Sequence, residues 1–204
     1  MAFNEINNKE IYENHFNKII LLNTMVTQIG SFGFEQGNDK IFDYIDLNCG
    51  GIPEGDYNLV IDENAPEEFL SLYTQIVENR FAFAVTGVLK MNEEFITPIK
   101  KYMYSIGQNL EIKNCDSLEQ AFGIVNSIVL DGMPFEKTKQ VVFMGEERFV
   151  WEKEVDTHQK AWEKAGTSLQ VYYDLLQEFV KGLLSRTKIT FEIENCDSFI
   201  LKKI

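Results

Sequence analysis

The segment Phe81-Ala-Phe-Ala-Val-Thr-Gly-Val-Leu89 carries no charge, and its single polar side chain is a threonine. An element that is apolar on every side has to be enclosed on every side, so this chain must wrap other elements around it. Large residues alternate with small ones: Phe81, Phe83, Val85 and Leu89 fall on one side, Ala82, Ala84 and Val88 on the other. That period of two predicts a strand over Phe81–Met91, covered on both faces and central in a sheet. Material for the covering layers is present, since 45% of the 204 residues are hydrophobic and 16 phenylalanines outnumber 8 tyrosines. Phenylalanine has no polar tip to leave in water, so the imbalance favours interior packing.

Upstream, apolar residues at helical spacing (Ile11, His15, Ile19, Leu22, Val26, Ile29) predict an amphipathic helix from Lys9 to Ile29, capped at Asn7 or Asn8 and stopped by Gly30. Gly33 and Gly37 read as a loop into a strand at Lys40–Leu47, which is rich in aromatic and β-branched residues. Turn residues fill Asn48–Asp56, and Tyr57–Asp62 reads as a second, antiparallel strand. Pro66, followed by Glu67 and Glu68, starts a helix that runs to Arg80 and buries Phe69, Leu72, Tyr73 and Ile76. Thr97-Pro98 starts another through Ile99, Tyr102, Met103 and Ile106, with a strand expected at Leu110–Lys113. Ser117 caps a helix through Leu118, Phe122, Val125 and Val129 that ends by Gly132 and Pro134. Val141–Met144 and Arg148–Trp151, around Gly145-Glu146-Glu147, form a tight hairpin. Helices over Val155–Ala165 and Leu169–Ser185, the second capped by Ser168, precede closing strands at Lys188–Glu192 and Phe199–Leu201. Helices alternate with strand pairs without regular βαβ repetition, and no Pro/Gly/Ser linker divides the chain. The expected fold is therefore α+β, a single compact domain over residues 1–204 with a mostly antiparallel or mixed sheet and several packed helices.

Leu110-Glu-Ile-Lys-Asn-Cys-Asp-Ser-Leu118 matches Phe191-Glu-Ile-Glu-Asn-Cys-Asp-Ser-Phe199 at six of nine positions. Duplication predicts the same structure at both places; similar strand exits, which demand the same turn and capping residues, predict the match without it.

Chemistry-bearing motifs are scarce. His15 lies on the apolar stripe of the first helix and reads as a hydrogen-bonded core histidine, whereas His158 stands among charged residues and reads as exposed. Neither has a second ligand one helical turn away, so the sequence calls for no metal and no cofactor. Asp46-x-Asn48-x-Gly50-Gly51 opens like a calcium loop, but Tyr57 stands where a bidentate Glu is needed. The glycines from Gly30 to Gly37 lack the lysine of a phosphate-binding loop, and Phe32 and Phe34 between them read as core plugs or as a binding anchor. Cys49, in Asn-Cys-Gly-Gly, is the one candidate nucleophile, and an inert thiol is the ordinary reading of such a residue. The carboxylate pairs Glu67-Glu68, Glu93-Glu94 and Glu146-Glu147 are sequence neighbours and cannot face each other across a cleft as a glycosidase requires. The best candidate for partner recognition is the hairpin, where Glu146, Glu147, Glu152 and Glu154 surround Phe149 and Trp151. Its bland counterpart is a solvated hairpin with the aromatics turned inward.

The formal charge is −13, with a pI near 4.6. Such a field repels nucleic acid and anionic lipid and attracts basic proteins, so direct nucleic-acid or membrane binding is not expected and a basic protein partner is. Three cysteines, an odd number, argue for free thiols, and the N-terminal residues lack the pattern of a secretory signal; together they make the cytoplasm the expected location. On these grounds the first functional expectation is an acidic protein-binding module, an inhibitor or immunity-type protein that neutralises a basic partner such as a toxin or nucleic-acid-acting enzyme. An enzyme with a site assembled from distant residues and a self-assembling structural subunit are the alternatives.

Overall fold

The computed structural model describes the backbone of residues 2–112 and 115–204, and the side chains from Asn8 onward within them. Helix α1 (Ala2–Glu35) runs past Gly30 and Gly33, and Asn7 and Asn8 lie inside it rather than at a cap. The two glycines do not stop the helix because they serve packing. A Cβ on Gly33 would stand 2.8 Å from Ile41 Cδ1 and 2.9 Å from Val88 Cγ2, and one on Gly30 would stand 2.7 Å from the Phe42 ring. They open a groove into which α2 (Ile41–Cys49) fits, burying Ile41 and Ile45 at i and i+4. The strand expected at Lys40–Leu47 is thus a helix, because contact with that groove overrides the β-preference of its residues. The strand expected at Tyr57–Asp62 is a single turn, α3 (Tyr57–Val60).

Helix α4 (Pro66–Leu89) begins where Pro66 predicts and does not end at Arg80. The whole apolar segment Phe81–Val88 is buried as its second half. Uniform apolarity reports enclosure and cannot by itself separate a central strand from a central helix. Continuity decides here, since neither proline nor glycine separates the first half from Ala82 and Ala84, both strong helix formers. The first half of α4 buries Leu70 and Val77, while Leu72 stays exposed.

A 3₁₀ turn at Glu93–Phe95 leads into α5 (Ile96–Asn109), which lies against α8 (Leu169–Leu183). Glycines on both helices bring the two backbones together: a Cβ on Gly107 would fall 2.1 Å from the Phe179 carbonyl oxygen, and one on Gly182 would fall 2.0 Å from that of Tyr104. Residues 110–112 form no strand, and Lys113, with Asn114, lies outside the described residues. Ser117 caps α6 (Leu118–Ile128) through a reciprocal capping box with Gln120. Helix α7 (Gln159–Ala165) starts later than its sequence predicts, because Asp156 Oδ1 accepts the N–H groups of His158 and Gln159 and holds residues 156–158 in a turn.

The strands β1 (Lys139–Met144), β2 (Arg148–Lys153), β3 (Ile189–Glu194) and β4 (Ser198–Lys203) form one antiparallel sheet in the order β1-β2-β4-β3. Its inner face is an aromatic layer. Trp151 stacks on Phe199 at 5.5 Å and meets Phe122 of α6 at 5.0 Å, and Phe122 lies 4.8 Å from Phe149. Asn195 and Cys196 both take positive φ, 53° and 61°, in the three-residue turn, Asn195 to Asp197, that joins β3 to β4. In the second copy of Asn-Cys-Asp-Ser residues 195–197 turn between β3 and β4, whereas in the first Ser117 caps α6 and residues 110–112 form no strand, so the described residues show neither the shared structure that duplication predicts nor the shared strand exit.

Candidate partner-binding edge

The two central strands of the sheet are covered on both faces: Phe149, Val150 and Trp151 of β2 and Phe199, Ile200 and Leu201 of β4 are all buried in unbroken succession. One strand further out the cover ends. On β1, Val141, Val142, Phe143 and Met144 are 44%, 46%, 52% and 59% exposed, consecutive residues and hence both faces of the strand. The register with β2 shifts between Val141 and Phe143, a bulge at Val142. The other edge is treated differently, because β3 lies beside α8 and its Ile193 N–H donates to Gln177 Oε1 at 2.8 Å.

The aromatic pair picked out on the hairpin belongs to the core. Phe149 is 1% and Trp151 3% exposed, so neither can reach a partner. Alternation along β2 turns these two inward and Arg148 and Glu152 outward, and the sequence does not say which face is which. The acidic residues are exposed, Glu146 and Glu147 in the turn and Glu152 and Glu154 on and beyond β2. Glu154 binds Lys137 at 2.7 Å. The apolar residues on offer are those of β1, a short hydrophobic run at a sheet edge that sequence reading passes over because such a run ordinarily belongs to a core strand.

A buried ionic ladder fixes the root of this hairpin. Lys139, the first residue of β1, bonds Asp131 at 2.6 Å, and Asp131 also accepts from Thr138 and Thr157, each at 3.1 Å. His158 Nδ1 lies 3.0 Å from Glu78 Oε2 of α4, and its Nε2 lies 3.8 Å from Asp131 Oδ1. At the end of β2, Lys153 bonds both Asp156 and Tyr173. His158 is 3% exposed, which corrects its reading as a surface residue: the carboxylates its ring meets, Glu78 and Asp131, come from distant parts of the chain and enclose it in the interior. Burial works against its charged form, but Glu78, then Asp131 and Asp156, outweigh that and raise its pKa above the ordinary value. For Asp131, burial is likewise opposed and exceeded by Lys139 and His158, so the carboxyl is held below its usual range.

His15 is buried as expected and pairs with Thr74 Oγ1 at 2.8 Å. Cys49, Cys115 and Cys196 are unpaired thiols, and burial pushes the Cys49 thiol up, away from a reactive thiolate. Phe32 is buried against Phe95, while Phe34 is exposed. Among the described residues no group of His, Cys, Asp and Glu is arranged to hold a metal ion, and no helix is long and apolar enough to cross a membrane. The cavity between Asn126, Lys139, Tyr173 and Phe191 has a free volume of about 30 Å³, room for about one or two waters and not for an organic substrate. An open groove of about 580 Å³ between α4 and residues 155–161 is large enough for a ligand, but its carboxylates Glu78, Asp156 and Glu136 are already engaged by His158, Lys153 and the Met133 N–H. No protein-family model, no curated protein and no solved structure matches this chain.

Proposed function

We propose that this chain is an acidic protein-binding module of the cytoplasm that captures a basic protein through the β1–β2 hairpin, acting as an inhibitor or immunity-type antagonist of, for instance, a toxin or a nucleic-acid-acting enzyme. The observation that carries the reading is the exposed apolar run Val141–Met144 beside the carboxylates of Glu146, Glu147 and Glu152. An apolar centre rimmed by charge is the ordinary anatomy of a recognition surface, and a monomer has no packing reason to leave four such residues in water. The chain's charge of −13 favours a cationic partner and disfavours anionic ones. Unpaired thiols are compatible with a reducing compartment.

Rate and lifetime of the complex should respond to different residues. Replacing Glu146, Glu147 and Glu152 by Gln should slow association and flatten its salt dependence, and Phe143→Ala should mainly speed dissociation. Surface plasmon resonance against a partner captured from native lysate at low salt reads both. Association indifferent to ionic strength would remove the electrostatic part of the proposal, leaving the acidity as a solubility feature.

A further inference from the structure

We infer that the partner is held as an added fifth strand, an extended segment with basic side chains that pairs main chain to main chain along the outer edge of β1. The inference rests on the reading of the hairpin as a binding site and adds the mode of recognition and the chemistry of the segment.

The hydrogen-bonding groups needed are in place. Gly145 N–H donates to the Arg148 carbonyl at 2.9 Å, which makes that pair a hydrogen-bonded one. In an antiparallel ladder such pairs alternate with pairs whose N–H and C=O point away from each other. Met144, opposite Phe149, is the next pair and directs its main-chain groups to the unoccupied side. β1 is the terminal strand of the sheet order, so nothing among the described residues pairs with that side. The side chains flanking it are apolar on both faces, which suits an incoming strand whose own side chains alternate across the sheet.

Charge selects the occupant. Around the edge stand Glu136, Glu146, Glu147 and Glu152 against Arg148, while Lys137 is taken up by Glu154 and Lys139 by Asp131. A segment carrying lysine or arginine beside apolar residues complements this rim. A second copy of the chain brings the same excess of carboxylates and a net charge of −13. The bulge at Val142 also interrupts the row of outward groups, which a rigid sheet edge cannot follow and a flexible segment can.

The test uses the full chain and a panel of fluorescein-labelled peptides of alternating Lys/Thr and Val/Ile residues, with two controls: the same peptides N-methylated at alternate amides, and versions with Glu in place of Lys. Saturable binding is expected, weakened on the order of tenfold by N-methylation, which leaves side chains intact. Met144→Pro, which removes the outward N–H without touching a bond to β2, should weaken binding comparably, and Met144→Ala should do so less. Glu peptides should bind least. Equal binding of the N-methylated peptides, or no saturable binding anywhere in the panel, overturns the inference. So does concentration-dependent dimerisation of the chain that Met144→Pro abolishes, since a second copy then owns the edge. If a captured protein obeys the charge variants yet ignores Met144→Pro, the binding function survives and strand addition fails. If N-methylation matters and the Glu→Gln variants do not, strand addition survives but the selection of a basic segment fails, and the inference as stated is overturned.

Discussion

His15 and His158 are equally buried and titrate in opposite directions, because one has a neutral partner and the other is surrounded by carboxylates. Burial, with Lys18 nearby, lowers the His15 pKa to about 4. The unfolded chain then binds the proton more readily, so the stability tied to His15 is complete above the ordinary histidine pKa and is lost as pH falls through that value toward 4. His158 has the opposite sign. Its raised pKa gives stability that is complete below the ordinary value and is lost as pH rises through the folded one. Urea denaturation across pH 4 to 9, compared between wild type and each His→Gln variant, should flatten the acid limb for His15→Gln and the alkaline limb for His158→Gln. The latter also leaves Glu78 with a buried charge and no cation, a loss of about 3–5 kcal/mol near neutrality. Cys196 offers a change in the other direction. It occupies a left-handed conformation at φ 61°, so Cys196→Gly should raise stability by about 1 kcal/mol, less what its bond to Gln170 contributes. Thermal unfolding measures it.

Glycine changes meaning with the helix that holds it. On α5, Gly107 has the Phe179 carbonyl where its Cβ would go, and backbone cannot swing aside as a side-chain end can. Gly107→Ala should therefore push α5 off α8 and cost about 1–3 kcal/mol or more, as overpacking does. On α6, Gly123 has nothing within 4 Å of the same position. Gly123→Ala should add about 0.5–1 kcal/mol by restricting the unfolded chain and favouring the helix. Chemical denaturation of the two single variants tests the packing directly, and equal effects at both sites would contradict the backbone contact between α5 and α8.

Across the molecule, a charge of −13 resists compaction by self-repulsion while it attracts cations. Raising sodium chloride from low to physiological strength should raise the melting temperature of the free protein and weaken its complex with a basic partner at the same time. Scanning calorimetry of the free chain and a binding titration in the same buffers check the pair of opposite slopes. A melting temperature that falls with salt would mean that the ion pairs at Asp46, Asp131 and Asp174 outweigh the repulsion.

The α+β class, the start of α4 at Pro66, the capping of α6 by Ser117 and of α8 by Ser168, and both hairpins were legible in the sequence, because caps, prolines and tight turns are chosen by forces acting within a few residues. That Phe81–Val88 must be enclosed was equally legible. Its helical form was not, since enclosure removes the polar face whose spacing would have revealed the period. Gly30 reads as a helix stop and Gly33 as loop until Ile41 and Phe42 of the next helix and Val88, far along the chain, occupy the space they leave. The acidic rim of the candidate site could be read directly, while its apolar centre could not. Whether Trp151 or Met144 faces water depends on which strand lies at the edge and which face the helices cover, and only the assembled sheet decides that.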